Sequence, residues 1–254
     1  MHYQIAISRK PSRSFCDGIT TANLGAPNIT LALEQHDQYV AMLKSCGLTV
    51  IDLEADEHFP DGCFVEDTAL ITAEFAVITN PGAPSRRGET ASIIPVLEPY
   101  RALKFLPASV TLDGGDVLLI GKTFYVGLSA RTTMEAASVL GEIVQPHGYE
   151  VVPIVVQDIL HLKTGVCFVG DDTIVATQQF AGCPEFQGYK KIVTLPEEDY
   201  AANCLRINDH LVMAAGFSEL KCKLMQLELP VLEVEMSEFR KMDGGLTCSS
   251  LLLQ

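Results

Sequence analysis

One cysteine, one histidine and several carboxylates stand where chemistry can be done. Cys248 lies in MDGGLTCSS, a Gly-Gly turn running into the last strand-like segment, and Gly244-Gly245 would let a ligand approach the backbone closely. In isolation a cysteine is more often a small core residue than a nucleophile. His161, in DILHLKTG, heads a hairpin between apolar residues. Alone it reads as a satisfied turn histidine; beside a cysteine, its imidazole can exchange protons with a leaving amine and an attacking water. His2, His36, His58, His147 and His210 lack that placement and are assigned to surface or helix.

The stretch FPDGCFVEDT holds Asp61, Glu66 and Asp67. A solvated turn is the common explanation for such a cluster, yet Glu66 and Asp67 run straight into an apolar strand. Convergent carboxylates would cradle a guanidinium through charge-assisted, often bidentate hydrogen bonds. Asp113 and Asp116 flank two glycines in TLDGGD and can do the same, or simply build a tight turn. PSRRGET places Arg86 and Arg87 in a turn, and LSART places Arg131 at a helix start. An arginine there opposes the helix dipole, so it faces either solvent or an anion such as a substrate carboxylate.

Other chemistries find no support. HExxH, CxxC and a close histidine pair are absent, which leaves no metal signature. So are the phosphate-loop patterns and the GxSxG elbow of common serine hydrolases. The chain has 18 Lys plus Arg against 32 Asp plus Glu, a formal net charge of −14. A field of that sign disfavours nucleic acid and anionic membranes as partners. It is compatible with a small cationic substrate, although solubility alone explains many such charges. No run approaches the ~18 apolar residues that would suggest a membrane span, and the N-terminal stretch has no signal-peptide pattern. Eight scattered cysteines in a chain of 254 residues fit a reducing, cytoplasmic compartment.

The elements that would position these residues repeat. Hairpin-like runs occupy 68–80, 116–129, 165–178 and 203–216, with breaks at Gly121-Lys122, Gly170-Asp171-Asp172 and Asn208-Asp209. Each follows a polar cluster, and the spacing is regular: 46 residues from Asp67 to Asp113, 48 to His161 and 42 to Asn203. Helical stretches lie between them. One, TTMEAASVLGEIVQPHG, is expected to open with a Thr132–Glu135 capping box; another is expected over 218–229; a third spans ITLALEQHDQYVAMLKSCG. The end segments HYQIAIS and LTCSSLLLQ can pair and complete one further unit. The expected fold is therefore α/β, a five-bladed αβ propeller of ββαβ units around a central channel, forming one domain over 1–254. An ordinary α/β sandwich with coincidental spacing is the competing architecture. In a propeller, Glu66, Asp67, Asp113, Asp116, His161, Asn203 and Cys248 converge on one axis.

The segments FVED, NPGAPSRRGE, LDGGDV, GLSART, LHLKT, YAANC and DGGLTCSS, in that order, resemble the dimethylarginine dimethylaminohydrolases over nearly the whole chain. These belong to the guanidine-modifying, or pentein, superfamily of five-bladed αβ propellers. The resemblance implies Cys248 as nucleophile, His161 as general acid and base, and Asp113 as third catalytic carboxylate, a position that is Glu in some relatives. It implies Glu66 and Asp67 on the guanidinium, Asp61 and the Ile19 carbonyl on the substrate amino group, and Arg86 and Arg131 on its carboxylate. The Met242 carbonyl would also touch substrate. Asn80 stands where relatives often have Arg, a departure expected to be peripheral.

The implied reaction converts N-omega-methylated L-arginine to L-citrulline and methylamine or dimethylamine through a covalent thiouronium on the cysteine, with no cofactor. An arginine deiminase or citrulline hydrolase would use nearly the same residues. Agmatine, lacking a carboxylate, would waste Arg86 and Arg131. A non-catalytic propeller binding module would leave Cys248, His161 and Asp113 without a purpose. The sequence leaves a homodimer open.

Overall fold

The structure, a computed structural model, describes residues 2–254. Parallel strands β1 (Ile5–Arg9) and β2 (Thr49–Leu53) are joined through helix α1 (Ile29–Ser45). The next unit is a hairpin, β3 (Ala69–Ile71) and β4 (Phe75–Ile78), with α2 (Thr90–Leu97) leading to β5 (Ala102–Phe105). The same plan recurs with β6 (Val117–Ile120), β7 (Thr123–Leu128), α3 (Met134–Val144) and β8 (Glu150–Val155). A short α4 (Leu162–Gly165) precedes β9 (Val166–Gly170), β10 (Thr173–Ala176), α5 (Gln178–Ala181) and β11 (Lys190–Val193). The fourth hairpin is β12 (Leu205–Ile207) and β13 (His210–Ala214), followed by α6 (Ser218–Leu224) and β14 (Val231–Val234). Finally β15 (Leu251–Leu253) returns to pair antiparallel with β1, Ile5 opposite Leu253.

The result is five sheets of three strands, each with one antiparallel and one parallel pairing. It is the five-bladed αβ propeller expected from the repeat, and the two chain ends share a blade. Local chemistry explains the plan. The tight hairpins need positive φ, supplied by Gly121 (61°), Asp171 and Asp172 (47° and 56°) and Asn208 (52°). The parallel third strand needs a long crossover, hence the helix. Each long helix buries one face on its own sheet: α3 covers Phe124 and Val126 with Ala136, Leu140 and Val144. Full burial of a side chain such as Leu140 is worth about 1.5–3 kcal/mol.

Three local expectations are corrected. The α3 N-cap is Thr133, whose hydroxyl accepts from the Ala136 amide at 3.2 Å, so Thr132 and Glu135 form no capping box. Arg131 accordingly lies before the cap rather than at the helix start. The helix expected over 218–229 ends at Leu224, tightens into a 3-10 turn over Met225–Leu227, and is stopped by Glu228 in a left-handed conformation (φ 58°) ahead of Pro230.

Candidate active site

One short turn precedes the first strand of every blade, and these five turns carry the polar residues. Val65–Thr68 before β3 bears Glu66 and Asp67; Gly114–Asp116 before β6 bears Asp116 and is headed by Asp113. His161 heads α4, which also carries Lys163. Pro196–Ala202 ends on Asn203, and Thr247–Ser249 holds Cys248. Cys248 thus sits one turn ahead of the final strand, not in it.

The turns form a closed ring with a hydrogen bond at each of its five joints. The Gly115 amide donates to Asp67 Oδ1 (2.8 Å), and the Leu162 amide to Asp116 Oδ1 (3.0 Å). Asn203 Nδ2 donates to the Lys163 carbonyl (2.9 Å), and the Thr247 amide donates to Asn203 Oδ1 (2.9 Å). The Thr247 hydroxyl closes the circle by donating to Glu66 Oε2 (2.8 Å). Buried polar groups are costly unless satisfied, so this mutual satisfaction lets charged residues gather at the hub.

The Asp113-Gly-Gly-Asp116 motif has a steric reason. A side chain at Gly114 would strike the Glu66 carbonyl, and one at Gly115 would strike the His161 imidazole. At the cysteine turn, by contrast, Gly244 packs on the Phe64 ring and Gly245 on the Asn203 side chain. Gly245 also lines the cavity that Cys248 borders.

His161 and Asp113 form a buried pair within this ring. His161 Nε2 lies 3.0 Å from Asp113 Oδ2, while Asp113 Oδ1 accepts from the Gly82 amide at 2.7 Å. Burial opposes the imidazolium, but Asp67, the bond with Asp113 and Asp116 outweigh it and raise the His161 pKa to about 9. Burial works against ionisation of Asp67 too, yet His161 and Arg86 hold it below its ordinary value. Burial pushes the Cys248 thiol far up, and Glu66 and Asp67 add to this; the Gly245 amide, 3.4 Å from Sγ, and Lys163 oppose it. At neutral pH the unliganded site therefore holds a thiol and an imidazolium.

The remaining expected residues fall around this core. Asp61 accepts the Ile19 amide through both oxygens (3.1 and 3.3 Å), and burial raises its pKa. Ile19 is half-exposed, and Met242 is buried, its methyl group facing Gly18. Arg86 is buried and engaged: Nε and Nη2 donate to Glu89 (3.0 and 2.8 Å), Nη1 to Asp67, and Nη2 also to the Phe64 carbonyl (2.9 Å). Arg131 is less committed, 3.8 Å from Asp113 Oδ2 and partly open to solvent. Glu66 spends Oε1 on Lys163 (2.7 Å) and Oε2 on Thr247. Asp67, Asp113 and His161 lie close enough to share a cation. Both oxygens of each carboxylate are already engaged: those of Asp67 with Gly115 and Arg86, and those of Asp113 with Gly82 and His161.

Sequence reasoning missed Lys163, Thr132 and Ser129. Thr132 accepts the Asp113 amide (3.1 Å), and Ser129 donates to Asp116 (2.6 Å) while accepting the Arg131 amide (3.0 Å). Their one signal was position, next to a blade's inner turn.

Two cavities meet at the ring. Cys248 lines one of about 250 Å³, together with Thr21, Leu24, Leu160, Tyr200, Asn203 and Arg240. A larger one, about 400 Å³, is lined by Glu66, Lys163, Cys167, Arg206, Thr247 and Leu252. Thr247 and Cys248 are adjacent in sequence but border different cavities, with Glu66, Lys163 and Thr247 on the larger one. Only the smaller contains the thiol.

A cysteine, a His–Asp pair and clustered carboxylates at the hub of a five-bladed αβ propeller define an enzyme of the guanidine-modifying class. Residues 23–246 match the family model described as N,N dimethylarginine dimethylhydrolase, eukaryotic. The N(G),N(G)-dimethylarginine dimethylaminohydrolase of Pseudomonas aeruginosa is 41% identical over 247 residues, covering 96% of this chain and 97% of that one. The enzyme of the same name from Streptomyces coelicolor is 34% identical over 257 residues, 98% of this chain and 96% of its own. A solved structure of the Pseudomonas aeruginosa enzyme, a mutant complexed with citrulline, superposes with a TM-score of 0.98 at 39% identity, covering 99% of this chain and 100% of that one. The chain belongs to the dimethylarginine dimethylaminohydrolase family.

Proposed function

We propose that residues 1–254 form one catalytic domain that hydrolyses N-omega-methylated L-arginine to L-citrulline and methylamine or dimethylamine, with Cys248 as nucleophile. The observation that supports this reading is the closed ring of turns, which carries Cys248, the His161–Asp113 pair and the clustered carboxylates together, in a chain of this family. A guanidinium is resonance-stabilised and cationic, hence a poor electrophile. Glu66 and Asp67, the latter kept ionised, are the carboxylates to orient it, and the cation's arrival offsets the anionic field that holds the thiol protonated. The thiol proton leaves to solvent and Sγ bonds to the guanidinium carbon. His161 then protonates the departing amine as the C–N bond breaks, leaving a thiouronium on Cys248. Neutral His161 takes a proton from water, the resulting hydroxide adds to the same carbon, and the C–S bond breaks. The departing thiolate takes the proton of the new C–OH group, giving citrulline.

Arg131 is the arginine best placed to receive the substrate carboxylate, with Arg86 behind it holding Asp67. Asp61, with the carbonyls of Ile19 and Met242, takes the amino group. The mechanism uses residues of a single chain, so the homodimer left open by the sequence has no part in it. Eight free thiols favour a cytoplasmic setting, and among the described residues no helix is long and apolar enough to cross a membrane. The direct test is Cys248→Ser, which should abolish citrulline formation while the folded variant still binds citrulline; retained turnover would overturn the assignment.

A further inference from the structure

Tyr200 and Cys248 meet at opposite ends of one peptide group. The Tyr200 hydroxyl donates to the Gly244 carbonyl at 2.9 Å, with the Met236 carbonyl farther off at 3.5 Å. The amide of that same peptide, Gly245 N–H, donates to Cys248 Sγ at 3.4 Å. A trans peptide group is planar, with its carbonyl and N–H pointing in opposite directions, so fixing the oxygen aims the N–H. Neighbouring contacts leave the peptide little freedom. The Gly244 amide donates to the Phe239 carbonyl (3.0 Å), and the Gly245 carbonyl accepts from the Ser249 hydroxyl (3.2 Å). The Tyr200 ring is itself held, with the Arg240 guanidinium 4.8 Å and the Phe217 ring 5.8 Å from its centre. Burial raises the Tyr200 pKa, so the phenol keeps the proton that it donates.

We infer that Tyr200 is a positioning residue for Cys248, acting through the Gly244–Gly245 peptide: its hydroxyl orients and polarises the one N–H that meets the sulfur as it ionises. For its turnover readout the inference rests on the proposed hydrolysis. Sulfur takes up negative charge as the thiol proton leaves, in a hub where Glu66 and Asp67 oppose that charge. A hydrogen bond to a charged group is stronger than one to a neutral group, so the Gly245 N–H favours the thiolate over the thiol. A bond accepted at the carbonyl strengthens the N–H on the other side of the amide, which passes the effect of the Tyr200 hydroxyl to the sulfur. The same donor serves twice, because the sulfur also departs from the thiouronium as a thiolate. Tyr200, Gly245 and Cys248 line the same cavity, so the whole relay lies in the wall around the reacting sulfur.

The test compares wild type with Y200F, which keeps the ring and loses only the hydroxyl, confirmed folded by circular dichroism. The first readout is the rate of Cys248 alkylation by iodoacetamide against pH, followed by peptide mass spectrometry because Cys16 and Cys222 are also exposed. In Y200F the profile should move toward alkaline pH, so that the rate at a fixed pH on its rising limb falls about three- to tenfold. A merely structural loss would loosen the turn and speed alkylation, so the direction separates the two. The second readout is kcat and KM for asymmetric dimethylarginine: kcat should fall about three- to tenfold, with KM within about twofold of wild type. A rise in KM with kcat preserved would make the hydroxyl a substrate ligand and overturn the inference, as would an alkylation profile unchanged or moved toward acid. If Y200F does not fold, 3-fluorotyrosine placed at position 200 carries the test. It is a stronger donor of nearly the same shape, so its alkylation profile should move toward acid, and no move or an alkaline one would overturn the inference. If wild type itself released no citrulline, the proposed reaction would have failed, and the alkylation profile alone would decide.

Discussion

His161 Nε2 stands 3.0 Å from Asp113 Oδ2 across 48 residues of sequence, and the other Asp113 oxygen is fixed by the Gly82 amide. The carboxylate therefore cannot rotate away from the imidazole, and it supports the protonated ring. Asp113→Asn keeps an acceptor for Gly82 but turns a donor toward Nε2. The expected result is a fall in kcat of about 10²- to 10⁴-fold with KM little changed. Steady-state kinetics check this; kcat within a few-fold of wild type would remove Asp113 from the machinery.

The two arginines should behave differently. Arg86 pairs with the buried carboxylates of Asp67 and Glu89, so Arg86→Ala leaves Glu89 without this partner and Asp67 with only the Gly115 amide and the charge of His161. Breaking such a buried network costs about 3–5 kcal/mol, which urea denaturation would register as a lower midpoint. Arg131→Ala should leave stability nearly unchanged and raise KM for methylarginine far more than for a methylated agmatine, which lacks the carboxylate. Equal effects on both substrates would remove Arg131 from the carboxylate site.

Thiol reactivity should follow pH in one direction. Burial, Glu66 and Asp67 together raise the Cys248 pKa, so the thiolate fraction of the free protein is small at neutral pH and grows as pH rises. Alkylation of Cys248 by iodoacetamide should accelerate steadily from neutral into the alkaline range. A fast rate, flat from neutral upward, would mean that the thiol is already ionised.

Asp116 links stability to pH. Burial raises its pKa to about 6 from the ordinary 3.8, against opposition from His161, Ser129, Thr132 and the Leu162 amide. A carboxyl that binds its proton more tightly when folded favours the folded state at low pH, and that advantage is lost as pH climbs from about 4 to 6. The penalty above that window is about 3 kcal/mol. Asp116→Asn can still accept from Leu162 and carries no such charge, so its Tm relative to wild type should rise across the window and level off above it. A parallel pair of Tm curves would contradict this.

Much of the fold was legible because its turns are chemically distinctive. Asp171-Asp172, Asn208 and Gly121 adopt positive φ at hairpin tips, and residues of that type announce a turn in any context. The chain-end pairing was legible because four hairpins with helices leave one unit to be completed. Short turns were harder. Thr132 and Thr133 are equivalent as caps in sequence, and the choice fell to Thr133 because Thr132 is drawn to the Asp113 amide. The direction of Lys163 was not legible because α4 is only four residues long, too short for a periodicity to show which way it points. The engagement of Arg86 and Glu66 was invisible for a different reason: their partners Asp67, Glu89, Lys163 and Thr247 come from three separate turns and a neighbouring helix start.

The central claim is best tested by citrulline release from asymmetric dimethylarginine, monomethylarginine, arginine and agmatine, measured side by side as kcat/KM on reduced protein. Both methylated arginines should be turned over with a strong preference over arginine and agmatine, and Cys248→Ser should abolish the signal. A preference for arginine or agmatine, or equal turnover by Cys248→Ser, would contradict the assignment.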